Sequence, residues 1–264
     1  MTIWLLALSC LLGCNLDCNN GPSPGAVDTA VEVIAECLKA DEGTDHHPDH
    51  VMTPQEPSAQ DIVARCTRAM GGSEALENLR TLRLRETRPA GRPDIVCEII
   101  RPNRLRKEVV GTLHVLFDGH QAWFLAYPSQ TDSAYTYQHP LPESDWHHFE
   151  MDLAQYFPVF FDFGAEYTGQ VQVDEAPAHV LRVELPLGGV VVYAIDAATW
   201  LPRWVEYPDW GLRLRLEDYR EVGGFLFPHR FRNEQEPDHV SVLTELAVNV
   251  EFDPGAFELP PGTR

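Results

Sequence analysis

Residues 115–124 read VLFDGHQAWF, an Asp-Gly-His step wedged between two runs of apolar and aromatic residues. Two readings compete, a catalytic Asp–His pair or a turn. A type I′ turn needs positive φ at both central residues, so Asp-Gly flanked by alternating apolar strands is a strong hairpin signal. The predicted register sets Phe117 opposite His120, Val115 opposite Ala122 and Leu113 opposite Phe124. One face of the hairpin is then apolar and aromatic apart from the terminal His. The other carries Thr112, His114, Leu116, Gln121, Trp123 and Leu125, and Asp118 is a turn residue.

Working outward, the period-two pattern recurs. Leu82 and Leu84 alternate with Arg83 and Arg85, Leu181 and Val183 with Arg182 and Glu184, and Leu212, Leu214 and Leu216 with Arg213 and Arg215. Near the end Val240, Val242, Thr244, Leu246, Val248, Val250 and Phe252 keep one parity. Such alternation marks antiparallel strands with one apolar face. The expected fold is mainly β with helices (α+β): about ten or eleven strands curling into an incomplete antiparallel β-barrel around a hydrophobic cavity, closed by helices.

Three segments of the domain read as helical. Ala59–Met70 places Ile62, Val63, Cys66 and Met70 on one side and ends at Gly71-Gly72, after which Ser73 caps a short EALENL helix. In ESDWHHFEMDLAQYFPVFF (143–161), Trp146, Phe149, Leu153, Tyr156, Phe157 and Phe160 recur every three or four residues. That spacing predicts an amphipathic helix begun by Ser144-Asp145 and ended near Pro158. It reads either as a plug of ordinary core or as a movable lid over a cavity. The lid reading requires apolar space between these aromatics and Phe117 and Phe124.

The chain has 264 residues, 44% of them hydrophobic, which suits one sizeable core. Its net charge of -20 argues against general nucleic-acid binding, which needs a basic surface. The charge is unevenly spread, since the stretch Arg80 to Lys107 is basic. That stretch reads as solvated strand faces or as a contact zone for an anionic headgroup or acidic partner.

The first thirteen residues are expected to be a signal peptide. Ile3–Leu12 is too short an apolar run to span a bilayer and suits a signal h-region. Leu11-Leu12-Gly13-Cys14 resembles a bacterial lipobox, which makes Cys14 the expected lipidation site and membrane anchor. No Lys or Arg precedes the run, so an unlipidated secretory signal, or a start codon placed elsewhere, stays open. Residues 14–57 are Pro- and acid-rich and read as a flexible tether with a short helix in AVDTAVEVIAECLKA (26–40). The domain proper is expected over 58–264. Cys18, Cys37, Cys66 and Cys97 then remain, either as two disulfides (most locally Cys18–Cys37 and Cys66–Cys97) or as buried free thiols.

The chemical motifs are sparse. Asp45–His50 (DHHPDH) is rich in metal-ligating types but lies in the tether, and His147-His148 lacks an HExxH context. There is no nucleophile elbow, phosphate loop or dinucleotide fingerprint, so neither an enzyme nor a cofactor is expected.

RPNRLRKE (101–108), then FDGHQAWF (117–124) and Tyr127-Pro128, resemble the carriers and receptors of the Lol lipoprotein-sorting pathway. AIDAATWLPRWVEY (194–207) and EDYREVGGFLFPHRF (217–231) look like the broader sorting-related set. The resemblance covers about 58–262. It implies a half-barrel that binds lipoprotein acyl chains or other lipid, without covalent chemistry, as an outer-membrane lipoprotein facing the periplasm and meeting a periplasmic carrier or envelope protein. It implies that Arg101 bonds lid-helix backbone when closed. Leu113, Val115, Phe117, Trp123, Phe124, Trp146, Phe149, Leu153 and Phe157 are the expected cavity and lid residues. Two features depart from the receptor pattern: no clear protruding apolar loop, and a longer tether. The alternative is an envelope-stress sensor or protein-interaction module on the same fold.

Overall fold

The computed structural model describes residues 56–126 except Ala90, then 137–253 and 255–258. The signal segment, Cys14, Cys18, Cys37, the DHHPDH stretch, Tyr127 and Pro128 lie outside the described residues. Glu56 begins the compact unit described below.

Among the described residues thirteen antiparallel strands form one sheet: β1 (Thr81–Thr87), β2 (Ile95–Ile100), β3 (Arg104–Val109), β4 (Leu113–Phe117), β5 (Ala122–Ala126), β6 (Tyr137–Pro140), β7 (Glu166–Val173), β8 (Ala176–Glu184), β9 (Val190–Asp196), β10 (Pro202–Tyr207), β11 (Leu212–Val222), β12 (Phe225–Asn233) and β13 (Val240–Val248). Their order is β6-β5-β4-β3-β2-β1-β13-β12-β11-β10-β9-β8-β7. Strands that follow one another in sequence are neighbours everywhere except between β6 and β7, which are the two edges. The sheet is open, and the chain between its edges is helical. Around the sheet are α1 (Ala59–Ala69), α2 (Ser73–Asn78), α3 (His147–Ala154) and α4 (Phe160–Phe163). No helix among the described residues is long and apolar enough to cross a membrane.

The opening hairpin forms, with a different turn. Phe117 pairs with Ala122, Val115 with Phe124 and Leu113 with Ala126, so the register is displaced by two from the expected one. Residues 118–121 make the turn, closed by Asp118 N–H donating to Gln121 O (3.2 Å). Asp118 Oδ1 accepts the N–H groups of His120 and Gln121, both at 2.8 Å. An Asp side chain that satisfies two turn amides stabilises this longer loop in place of type I′. A shift of two residues preserves the facing of every side chain.

The long single-parity run near the end is interrupted. Thr244 is an extra residue opposite β1, between Arg85↔Glu245 and Glu86↔Leu243. This bulge turns Leu243 into the core, while Thr244 faces solvent.

Helix α1 starts with a capping box, Ser58 Oγ accepting from Asp61 N–H and Asp61 accepting from Ser58 N–H. At its other end the two Gly-Gly pairs meet. A Cβ on Gly71 would lie 2.1 Å from Gly224 O, and Leu226 N–H donates to Met70 O at 2.8 Å. Ser73 is the first residue of α2, whose N-cap is Gly72, so it supplies no side-chain cap.

Arg83, Arg85, Arg92, Arg101, Arg106 and Lys107 of the basic stretch are ion-paired. On the outer face Glu98 bonds both Arg83 (2.5 Å) and Arg106 (3.1 Å), and Arg85 reaches Asp94 and Glu245, each at 3.3 Å. Its two most buried cations, Arg101 and Lys107, pair with carboxylates of the β6–β7 connection.

Candidate functional site: the inner face and the helical segment over it

Alternation along β1–β5 sends one row of side chains, Leu84, Cys97, Lys107, Val115 and Phe124, to the inner face. The adjacent row is Leu82, Ile99, Leu105, Phe117 and Ala122, all buried. On the other half of the sheet, Leu181, Tyr193, Val205 and Leu214 form the corresponding row.

Segment 143–163 lies against this face. It is shorter in helix than the aromatic spacing predicted: a 3-10 turn, Glu143–Asp145, then α3, a break, and α4. Proline lacks an N–H and disfavours helix in the residue before it, so the aromatic period runs through Pro158 while the helix does not.

Helix α3 touches both halves of the sheet. Toward β4, Phe149 stacks on Phe117 with ring centroids 5.7 Å apart, and Phe117 is 0% exposed. Toward β3, Lys107 Nζ donates to Asp152 Oδ1 at 2.9 Å, and Lys107 is 3% exposed. Burial, the largest single influence, pushes the Lys107 ammonium down, but the attractions of Asp152, Cys97 and Glu86 together outweigh it and the net shift is upward. Toward β9, Tyr193 Oη donates to Ala154 O (3.0 Å) and accepts from Val159 N–H (3.2 Å), bridging the break before α4. A Cβ on Gly189 would lie 3.0 Å from Met151 Sδ, so the β8–β9 turn closes tightly on the helix. Glu150 Oε2 accepts Leu187 N–H from that turn (2.9 Å), while its Oε1 is buried without a partner among the described residues. Burial raises the Glu150 carboxyl above its ordinary range, and the Leu187 bond only partly opposes this.

Beyond α3, Glu86 on β1 accepts from Tyr156 Oη (2.6 Å) and Gln155 Nε2 (2.9 Å). Burial first, and then the Glu86 carboxylate, holds the Tyr156 phenol well above its ordinary range. Cys97 lies in the same buried cluster. Its thiol is pushed up to about 12 by burial, with Lys107 pulling the other way.

Arg101, between β2 and β3, is a second clasp. Its Nη1 donates to Leu76 O (2.8 Å) and Leu79 O (2.6 Å) around the end of α2. Its Nε and Nη2 hold Asp162 of α4 in a bidentate pair (3.1 and 2.6 Å), and its guanidinium lies 4.3 Å from the Phe157 ring centroid. The helix backbone it bonds is therefore that of α2, not of the expected lid helix. It reaches the β6–β7 connection through a carboxylate.

Of the expected cavity residues, Leu113, Val115, Phe117 and Phe124 share the inner face, and Phe149, Leu153 and Phe157 are buried in the segment over it. Trp123 does not join them: it pairs with Leu116, of opposite parity, and belongs to the outer face. Trp146 precedes α3 and donates its Nε1–H to Leu141 O (3.1 Å). The space expected between Phe117 and the aromatics is occupied here by Phe149 itself. Cys66 and Cys97 are buried free thiols, so the Cys66–Cys97 disulfide does not form. His148 lies beside Trp210 (5.4 Å between rings), and no group of three or more His, Cys, Asp or Glu among the described residues is placed to hold a metal.

Glu86, Lys107, Asp152, Asp162 and Tyr193 escaped the sequence reading. One signal for Lys107 was present: it takes an inward parity in the RLRKEV strand.

No family model matches the chain, and no curated protein matches it. Solved structures with a similar fold include a DUF1329 family protein from Desulfovibrio piger (12% identity, 77% of this chain and 98% of that one, TM-score 0.47). A LolA superfamily protein from Nitrosomonas europaea is 13% identical over 76% of this chain and 97% of its own, with a TM-score of 0.44. A domain described as outer membrane lipoprotein-sorting, from Vibrio parahaemolyticus, is 11% identical over 76% and 96%, with a TM-score of 0.42. The family resembled in sequence is thus among the structural neighbours. Likenesses this distant carry no argument about function, which is read below from the chain's own geometry.

Proposed function

We propose that this chain is an exported envelope protein, lipid-anchored through Cys14 at the outer membrane and facing the periplasm. Its half-barrel binds the acyl chains of lipoproteins or another hydrophobic ligand. Phe149 fills the space over Phe117 that a lid above a standing cavity would leave open, so segment 143–163 acts as a lid that must leave the inner face before the ligand takes its place there.

One observation carries this reading. The apolar inner face is covered by an aromatic segment held through polar clasps, Lys107–Asp152 and Arg101–Asp162. Buried ion pairs add little net stability compared with apolar packing of equal volume, and in some proteins they instead specify a single seating. A permanent core has little need of them, whereas a lid that leaves and returns does. Once the lid is lifted, acyl burial contributes about 25 cal/mol per Å² of apolar surface.

Native mass spectrometry of the full chain, purified from envelope membranes, tests the proposal. The expected result is a co-purified lipid adduct that is lost when α3 is cross-linked to β4 at positions 149 and 117. Absence of any adduct, together with no uptake of added long-chain fatty acid, would overturn it.

A further inference from the structure

Lys107 is an unusual residue for the floor of an acyl site. It stands between Cys97 and Val115 across neighbouring strands, almost wholly buried, and its ion pair is with Asp152 of α3. On α3, Phe149, Asp152 and Leu153 are spaced i, i+3 and i+4, so they share one side of the helix. That side presents an aromatic ring, a carboxylate and a branched aliphatic chain. The ring stacks on Phe117 and the carboxylate meets the ammonium.

Lifting α3 removes the carboxylate but leaves the ammonium on the sheet. An unpaired charge on an apolar floor costs several kcal/mol unless water or a counter-ion replaces its partner. A neutral acyl chain would bring no such partner. From this we infer that the inner face selects amphiphiles with an anionic headgroup, whose carboxylate or phosphate takes the place of Asp152 on Lys107 while the chain lies along Val115 and Phe117. The inference rests on the acyl-binding reading above and adds the chemical class of the ligand. Charge-assisted bonds to an ammonium suit both oxyacids. Glu86 is the internal competitor: it loses Tyr156 and Gln155 when the segment leaves, and would abolish the selectivity if it swung to Lys107.

Calorimetric titration of the full chain with laurate, dodecyl phosphate and dodecanol tests this. The expected result is at least ten-fold tighter binding of the two anions than of the alcohol, and the tighter of the two anions identifies the headgroup source. Lys107→Met is expected to bring all three within two-fold of one another. Asp152→Asn, which removes the internal carboxylate and leaves Lys107 in place, is expected to tighten the anions by three-fold or more and serves as the readout if Lys107→Met does not fold. Equal binding of all three by the unmodified protein would overturn the headgroup inference and leave acyl binding standing. Binding of none would overturn acyl binding itself.

Discussion

Lys107 on β3 and Asp152 on α3 form an ion pair of 2.9 Å at the interface between the sheet and segment 143–163, with both side chains largely out of water. Truncating one partner of such a pair leaves the other charge uncompensated, at a cost of about 3–5 kcal/mol. Lys107→Ala is therefore expected to lower unfolding free energy by about 3 kcal/mol in urea melts. The double variant Lys107→Met with Asp152→Leu is expected to come within about 1 kcal/mol of the unmodified protein. Equal losses in the two would show that packing, not charge, sets the cost.

Arg101 joins α2 to α4 with four polar contacts and one ring contact. Arg101→Leu is expected to accelerate hydrogen exchange over 143–163 while the paired strands β1 and β2 keep their protection. Uniform loss of protection would instead make Arg101 a general structural residue.

The burial of Glu150 predicts a pH dependence for the seating of segment 143–163. Its folded-state carboxyl is raised by burial, so its stabilising contribution is full below the ordinary carboxylate pKa and is lost as pH rises through the folded value. Stability of the unmodified chain is expected to show a falling component above about pH 4.3 that is absent in Glu150→Gln. Parallel pH profiles for the two proteins would remove Glu150 from the account.

Cys66 and Cys97 are buried thiols with raised pKa values, so neither reacts until its cover opens. Cys97 lies beneath segment 143–163, while Cys66 is on the buried side of α1 against Met70. A lid-opening ligand is expected to speed disulfide-reagent labelling of Cys97 several-fold without changing Cys66. Peptide mapping of the labelled protein tells the two apart, and equal acceleration would mean global opening.

Gly71→Ala places a methyl against Gly224 O at a φ of +132°. Thermal unfolding is expected to show a loss of about 2 kcal/mol or more, from strain and displaced backbone together.

The strand content and facing were legible because a period of two survives small errors. The hairpin register at Asp118 was off by two residues, yet Leu113, Val115, Phe117 and Phe124 still fell on one face. Parity failed at Thr244, where a bulge leaves no composition signal. The helix was overrun because aromatic spacing outlasts the hydrogen-bond ladder at Pro158. The clasps were invisible for another reason. Lys107 and Asp152 are 45 residues apart and Glu86 and Tyr156 are 70 apart, and only the completed sheet brings them together.

The strand order has a mechanical consequence. The first and last strands, β1 and β13, lie side by side in the middle of the sheet, zipped over six residue pairs, while the gap falls between β6 and β7. Tension drawn through the segment before α1 would load that central zipper and spare the gap. A proteolytic nick within 143–163 would likewise leave both halves of the sheet joined. The continuity of the sheet rests on the β1–β13 pairing and not on the connection between its edges.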